Sequence, residues 1–118
     1  MDDAVARTAR AAAGQLAGEL GGRLPGDVEA ILHARDDAPA AEQYVLDPVS
    51  LASLVVSVAG LAWQVYRDLR SKSDAPAREV VERRVRVAVR ESATAAPAAQ
   101  RDRVIEVVVS DVMDSDQP

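Results

Sequence analysis

The sequence has no cysteine and a single histidine, His33, among its 118 residues. The absence of cysteine excludes disulfides, thiolate metal ligands and cysteine nucleophiles. One histidine cannot form a multi-histidine metal site, and the sequence also lacks a glycine-rich phosphate loop and a nucleophile motif. We therefore expect a protein that is not an enzyme and that holds no cofactor and no metal ion.

Aromatic residues are scarce, at 3% of the chain, and phenylalanine is absent. Alanine, valine, leucine and isoleucine must therefore form any core, and each of them buries less area than an aromatic ring. Hydrophobic residues nevertheless reach 48%, which is typical of a folded protein. The length fits one small domain.

The net charge is −5, and it is concentrated in the first part of the chain. Residues 1–47 hold nine acidic residues and four arginines, whereas residues 48–118 hold ten basic and ten acidic residues. An acidic chain with balanced arginine and glutamate is a poor candidate for binding nucleic acids. We therefore expect no nucleic-acid partner.

Residues 1–35 are predicted to form an N-terminal helical segment. Apolar residues recur every three or four positions from Asp2 to Leu20, which is typical of one face of a helix. Gly21 follows, and glycine is the usual residue after a helix ends. A second, short helix is predicted from Asp27 to Arg35, because Asp27 follows a turn sequence and can cap a helix.

A linker is predicted at residues 36–46. His33 precedes Asp36 and Asp37, and one imidazole with two carboxylates could hold a metal ion. These residues fall where the short helix gives way to the linker, however, so a solvent-exposed histidine is the favoured interpretation.

The central segment, residues 47–72, is the most informative part of the sequence. Asp47 followed by Pro48 is typical of a helix start, and the nineteen residues from Pro48 to Tyr66 carry no charge. At about 1.5 Å per residue this run spans roughly 28 Å, close to the ~30 Å hydrocarbon core of a bilayer. We therefore predict that this apolar helix spans a membrane.

Aromatic and basic residues flank the uncharged run, as they do at membrane–water interfaces. The predicted interface anchors are Tyr44, Trp63, Tyr66, Arg67, Arg70 and Lys72. Because basic residues stay on the cytoplasmic side of a membrane, these positions predict a single-pass protein of the cell membrane whose C-terminal side is cytoplasmic.

Small and polar residues form one stripe along the same helix, at alternating spacings of three and four residues. The stripe consists of Ser50, Ser53, Ser57, Gly60 and Gln64. In a membrane such residues let a second helix approach closely, so we predict a helix–helix interface and a homo-oligomer. In water the same stripe would be the partly exposed edge of an otherwise buried helix.

Residues 73–113 are predicted to form a pair of helices, each opened by a proline, Pro76 or Pro97. A β-hairpin is the alternative, because valine occupies every second position of residues 84–90 and favours strands. Residues 114–118 are predicted to be a disordered tail. The predicted fold is thus all-α, a helical hairpin or small bundle around one long apolar helix, with an α+β fold as the alternative.

Three stretches resemble a group of short, uncharacterised actinobacterial proteins with one apolar helix. They are Leu46–Val58, Ala62–Arg70 and Arg101–Val109. The resemblance covers residues 44–112 and implies an adaptor of a signalling or conflict system. It implies no site residues, because it brings no catalytic motif.

These observations predict a non-enzymatic, single-pass membrane protein that acts as an adaptor or interaction module and self-associates through its apolar helix. The alternative is a soluble, cytoplasmic all-α module for oligomerisation or protein interaction. In that alternative the central helix is buried by the rest of the chain.

Overall fold

The computed structural model describes residues 3–37, 51–72, 75–91 and 97–115, and within them the chain is helical apart from turns. The helices are α1 (Asp3–Leu20), α2 (Leu24–Asp37), α3 (Leu51–Arg70), α4 (Arg78–Glu91) and α5 (Ala98–Ser115). The predicted all-α class is confirmed for this part of the chain. The start of the predicted apolar helix, residues 47–50, lies outside the described residues.

A glycine ends α1, as the sequence predicts. Gly21 has a φ of 130°, which glycine adopts without steric cost, and its N–H donates to the Ala17 carbonyl oxygen at 3.0 Å. The Leu24 N–H then donates to the Gly21 carbonyl oxygen at 3.1 Å and closes the turn. α2 therefore begins at Leu24, earlier than predicted, with Pro25 in its first turn, where no helical N–H donor is needed.

The alternative β-hairpin is wrong for the described residues, because residues 84–90 belong to α4 and residues 103–109 to α5. Val81, Val85 and Val89 recur every four residues and are all buried. This spacing follows one face of a helix, which is the face that α4 packs against the bundle. The apparent alternation arises because further valines lie on the outer face.

α3 lies at the centre of the bundle and contacts each of the other four helices. α1 and α5 pack against each other as well as against α3. α2 and α4 both contact α3, and within the described residues they do not contact each other. α1 and α5 therefore cover one side of α3, while α2 and α4 flank it.

Alanine and valine supply most of the core, as the scarcity of aromatic residues predicts. Fully buried examples from the three innermost helices are Ala9, Ala12 and Ala13 in α1, Val55, Val58, Ala59 and Ala62 in α3, and Val104, Val108 and Val112 in α5. Short side chains allow helix axes to approach closely, because the distance between packed helices depends on the side chains at the contact. A core without phenylalanine is thus filled by close helix packing.

An exposed ion pair joins α1 to α5. The guanidinium of Arg103 donates to the carboxylate of Glu19 through Nε at 2.9 Å and through Nη2 at 2.8 Å. These hydrogen bonds and the positive charge of Arg103 hold the pKa of Glu19 below its ordinary value. Because the pair lies at the surface, it orients the two helices more than it stabilises them.

The predicted membrane span is wrong: among the described residues, no helix is both long enough and apolar enough to cross a bilayer. The uncharged part of α3 runs from Leu51 to Tyr66, sixteen residues or about 24 Å, before Arg67 and Asp68 follow. Serine, glycine and glutamine within that run lower its mean hydropathy. The four other helices bury the apolar residues of α3, and this burial accounts for the uncharged run without a membrane. The predicted single-pass orientation is therefore wrong as well.

A buried hydrogen bond fixes α1 against α3. The indole Nε1 of Trp63 donates to the hydroxyl oxygen of Thr8 at 2.9 Å. Thr8 is 1% exposed and Trp63 is 7% exposed, so water reaches neither group freely. A buried indole N–H needs an acceptor, and Thr8 supplies it from the neighbouring helix.

We expect Thr8→Val to reduce the free energy of unfolding by about 1–3 kcal/mol, because it leaves the Trp63 N–H buried without an acceptor. Urea denaturation followed by circular dichroism measures this change. In a Trp63→Phe background, where no N–H needs an acceptor, the same Thr8→Val change should cost little. An equal cost in both backgrounds would show that the hydrogen bond contributes nothing.

Candidate functional site

The residues that the sequence singled out in the central helix divide between two sides of α3. Ser53, Ser57, Gly60 and Gln64 lie along the side between α2 and α4, which we call the front face. Trp63 and Tyr66 face the bundle on the α1 side. Of the remaining predicted residues, Ser50 and Tyr44 lie outside the described part of the chain.

The front face is open along α3. Ser57 and Gln64 are exposed, and Ser53 and Gly60 are half-buried. A side chain placed at Gly60 would have no heavy atom of a neighbouring element within 4 Å. Within the described residues, therefore, no other helix of the chain packs on this face at Gly60.

The outer surface of α4 adds apolar area beside the front face. Val80 is 36% exposed and Val87 is 47% exposed, the highest values for large apolar side chains among the described residues. A shallow cavity of about 350 Å³ lies between α3 and α4 and is lined by Val65, Arg83, Arg84, Val87 and Ala88. The concave surface is thus apolar at its base and basic at its edge.

An ion pair connects α4 to α3 at the edge of this cavity. The Nη1 of Arg84 donates to Oδ2 of Asp68 at 3.1 Å, and the Nζ of Lys72 lies 3.6 Å from the same oxygen. The hydrogen bond from Arg84 and the positive charge of Lys72 lower the pKa of Asp68 from its ordinary value of 3.8. Lys72, predicted to anchor a membrane interface, therefore pairs with Asp68, four residues earlier in the chain, while Arg84 makes the link to α4.

The two helices that flank the front face carry opposite charges. The segment of α2, residues 24–37, holds four acidic residues and one arginine, a formal charge of −3. The segment of α4, residues 78–91, holds five arginines and three glutamates, a formal charge of +2. The two helices that flank the front face therefore differ in the sign of their formal charge, and we call α2 its acidic border and α4 its basic border.

The other predicted anchors line a cleft on the α1 side of α3. The Cζ of Arg67 lies 5.2 Å from the centroid of the Trp63 ring, which is a cation–π arrangement. The Trp63 and Tyr66 rings meet edge to face, with centroids 6.0 Å apart at an interplanar angle of 90°. The Nη1 of Arg70 donates to the Tyr66 hydroxyl at 3.1 Å. These aromatic rings are thus largely buried within the protein, and the described part of α3 that they were predicted to anchor is not a membrane span.

α1 contributes a third arginine to this cleft. Arg7 lies with Arg67 and Arg70 around a concavity of about 640 Å³, whose walls include Trp63 and Tyr66. We call this concavity, with its three arginines, the arginine cleft. The sequence gives no signal for it, because Arg7 stands fifty-six residues before Trp63 and only the packing of α1 on α3 brings them together.

His33 makes a local contact on α2. Its Nδ1 donates to the Glu29 carbonyl oxygen at 2.7 Å, and the ring is exposed. The side chains of Asp36 and Asp37 lie outside the described part of the structure, so the metal hypothesis for these three residues is not addressed by its contacts.

No known protein family, no curated protein and no solved structure matches this chain. The resemblance to short actinobacterial proteins therefore stays a prediction from the sequence.

The Asp68–Arg84 pair should make stability depend on pH in the acid range. Because the pKa of Asp68 is lowered in the folded state, the pair stabilises the fold above the ordinary pKa of 3.8. Its contribution is lost as the pH falls below that value through the folded-state pKa. We expect Asp68→Asn and Arg84→Gln to lower the melting temperature at pH 6 and to converge with wild type in strong acid. Melting curves that stay parallel at every pH would contradict this assignment.

Proposed function

We propose that the chain is a non-enzymatic, all-α interaction module that associates with a second copy of itself through the front face of α3. The observation that carries this proposal is the open surface at Ser57, Gly60 and Gln64, on the helix that every other described helix contacts. It replaces the membrane-spanning function, which the properties of α3 contradict.

Small side chains make the front face suitable for close helix packing. Neither Ser57 nor Gly60 has a side chain that would hold a second helix away, and Gln64 can donate and accept hydrogen bonds across a contact. Leu61 and Val65 are half-buried beside them and supply apolar area that a second copy would cover. Val80 and Val87 extend this area onto α4.

The charged borders favour one arrangement of two copies. A two-fold axis parallel to α3 places the basic α4 of one copy opposite the acidic α2 of the other. A two-fold axis perpendicular to α3 within the contact plane would instead place α4 against α4, with its arginines facing each other. Like charges facing each other are unfavourable, so complementarity selects the first arrangement.

An adaptor role in a signalling or conflict system is a further proposal, which the resemblance of residues 44–112 supports. Self-association through one face of the bundle is compatible with such a role, because the arginine cleft and the surface of α5 remain accessible. The chemistry of any other partner is a separate question from the contact between two copies.

Replacing Gly60 with isoleucine tests the proposal. We expect the wild-type chain to sediment as a dimer and Gly60→Ile to sediment as a monomer, because the new side chain separates the two α3 helices. The fold should tolerate the change, since no neighbouring element lies within 4 Å and isoleucine favours helix more than glycine does. Sedimentation velocity measures the masses, and circular dichroism checks the fold.

Gly18→Ile is the matched control. Gly18 is likewise a helical glycine with no neighbouring atom within 4 Å of an added side chain, but it lies on α1 and not on the front face of α3. This variant should remain dimeric. A monomeric wild-type chain at every concentration, or dimers of Gly60→Ile as stable as those of wild type, would contradict the proposal.

A further inference from the structure

We propose that the arginine cleft is a binding site for the phosphate group of a small organic phosphate. The cleft lies on the α1 side of the C-terminal part of α3, where Arg67 borders the front face three residues after Gln64. None of Ser57, Gly60 and Gln64, which carry the proposed self-association, lines it. The proposal rests on the convergence of Arg7, Arg67 and Arg70, on how their surroundings orient them, and on the size and shape of the concavity.

Three guanidinium groups converge in a chain whose net charge is −5. Guanidinium presents its N–H donors in a planar fork that matches the oxygens of phosphate, and these charge-assisted hydrogen bonds are stronger than neutral ones. Asp68, the acidic residue of α3 nearest in sequence, is directed away by its bonds to Arg84 and Lys72. The cleft therefore brings guanidinium donors from two helices together on an acidic protein.

Aromatic contacts hold two of the arginines in place before any ligand arrives. Arg67 lies over the Trp63 ring, and Arg70 donates to the Tyr66 hydroxyl. Trp63 is itself fixed by its hydrogen bond to Thr8. Donors that are already oriented lose less conformational entropy on binding, so this arrangement favours a ligand over bulk water.

Arg7 completes the site from the opposite wall. It is exposed on α1, and it has neither a hydrogen bond nor an ion pair to any residue in the described part of the chain. A ligand between α1 and α3 would therefore gain a contact from Arg7 without breaking a described one. Binding would also draw the two helices together at this end of the bundle.

The shape of the cleft limits what the rest of the ligand can be. A concavity of about 640 Å³ exceeds the size of a phosphate ion and falls within the range of small-molecule sites. The aromatic rings offer little surface for a nucleobase, because Arg67 covers Trp63 and Tyr66 is only 5% exposed. Recognition should thus depend on the phosphate and on a compact polar moiety, with no contribution from base stacking.

Trp63 is the single tryptophan of the chain and lines the cleft, so its fluorescence reports binding directly. We propose to titrate the full chain with inorganic phosphate, ribose 5-phosphate and adenosine monophosphate at constant ionic strength. We expect saturable changes, tighter binding of ribose 5-phosphate than of inorganic phosphate, and similar affinities for the two organic phosphates. Isothermal titration calorimetry provides a second readout that does not depend on the indole.

Arg7→Gln is the decisive variant, because Arg7 has no described contact whose loss could disturb the fold. We expect the dissociation constant for ribose 5-phosphate to rise about tenfold, the equivalent of one charge-assisted hydrogen bond of roughly 1.4 kcal/mol. Arg23→Gln removes the same charge from the turn after α1, about 20 Å away along the helix, and should leave the affinity unchanged.

Three results would overturn the proposal. The first is a fluorescence change that sodium chloride produces as well as the phosphates do. The others are an equal loss of affinity in Arg7→Gln and Arg23→Gln, and the absence of any heat or fluorescence change with all three probes. A much higher affinity for adenosine monophosphate than for ribose 5-phosphate would contradict the absence of base stacking. Gly60→Ile should bind as wild type does, which separates this site from the front face.

Discussion

The fold depends on the burial of α3 by side chains that are mostly small. With one tryptophan, two tyrosines and no phenylalanine, the chain cannot fill its interior with large rings. Alanine and valine must therefore be brought into contact by close approach of the helices, and α3 is the helix that all four others approach. Its uncharged residues, which indicate a membrane when they are considered alone, are the apolar surface that this packing requires.

The same constraint explains where Trp63 and Tyr66, the large side chains with a polar group, lie. Trp63 occupies the contact between α1 and α3, and Thr8 accepts its N–H within the core. Tyr66 lies next to it, with its hydroxyl bound by Arg70 at the surface. The two rings thus lie at the boundary between the core and the solvent. Amphipathic rings take the same position between lipid and water in membrane proteins, so the two cases look alike in sequence.

The sequence was sufficient to predict the helices and insufficient to predict their surroundings. Gly21 marks the end of α1, and prolines precede the starts of α4 and α5. These signals depend on local backbone geometry, so they can be recognised from the sequence. The valines of α4 were ambiguous, because their spacing fits both a strand and a helix with two apolar faces. Whether α3 faces lipid or protein depends on helices distant in sequence, and hydropathy alone does not carry that information.

The candidate surfaces differ in how far sequence could identify them. Ser57, Gly60 and Gln64 form a stripe by spacing alone, and that stripe does lie on one face of α3. The arginine cleft required the fold, because Arg7 joins Arg67 and Arg70 only through the packing of α1. The acidic α2 and the basic α4 likewise flank α3 without contacting each other in the described part of the chain.

The position of α4 at the edge of the bundle has a consequence for how the fold can open. Within the described residues α4 contacts only α3 and α5, as α2 contacts only α1 and α3, whereas α3 contacts four helices and α1 contacts three. Elements with fewer buried contacts open at lower free energy than the molecule as a whole unfolds. Detachment of α4 would expose Val81, Val85 and Val89 together with the α3 and α5 surfaces that they cover. Such detachment would present a larger apolar surface while α1, α2, α3 and α5 stay packed.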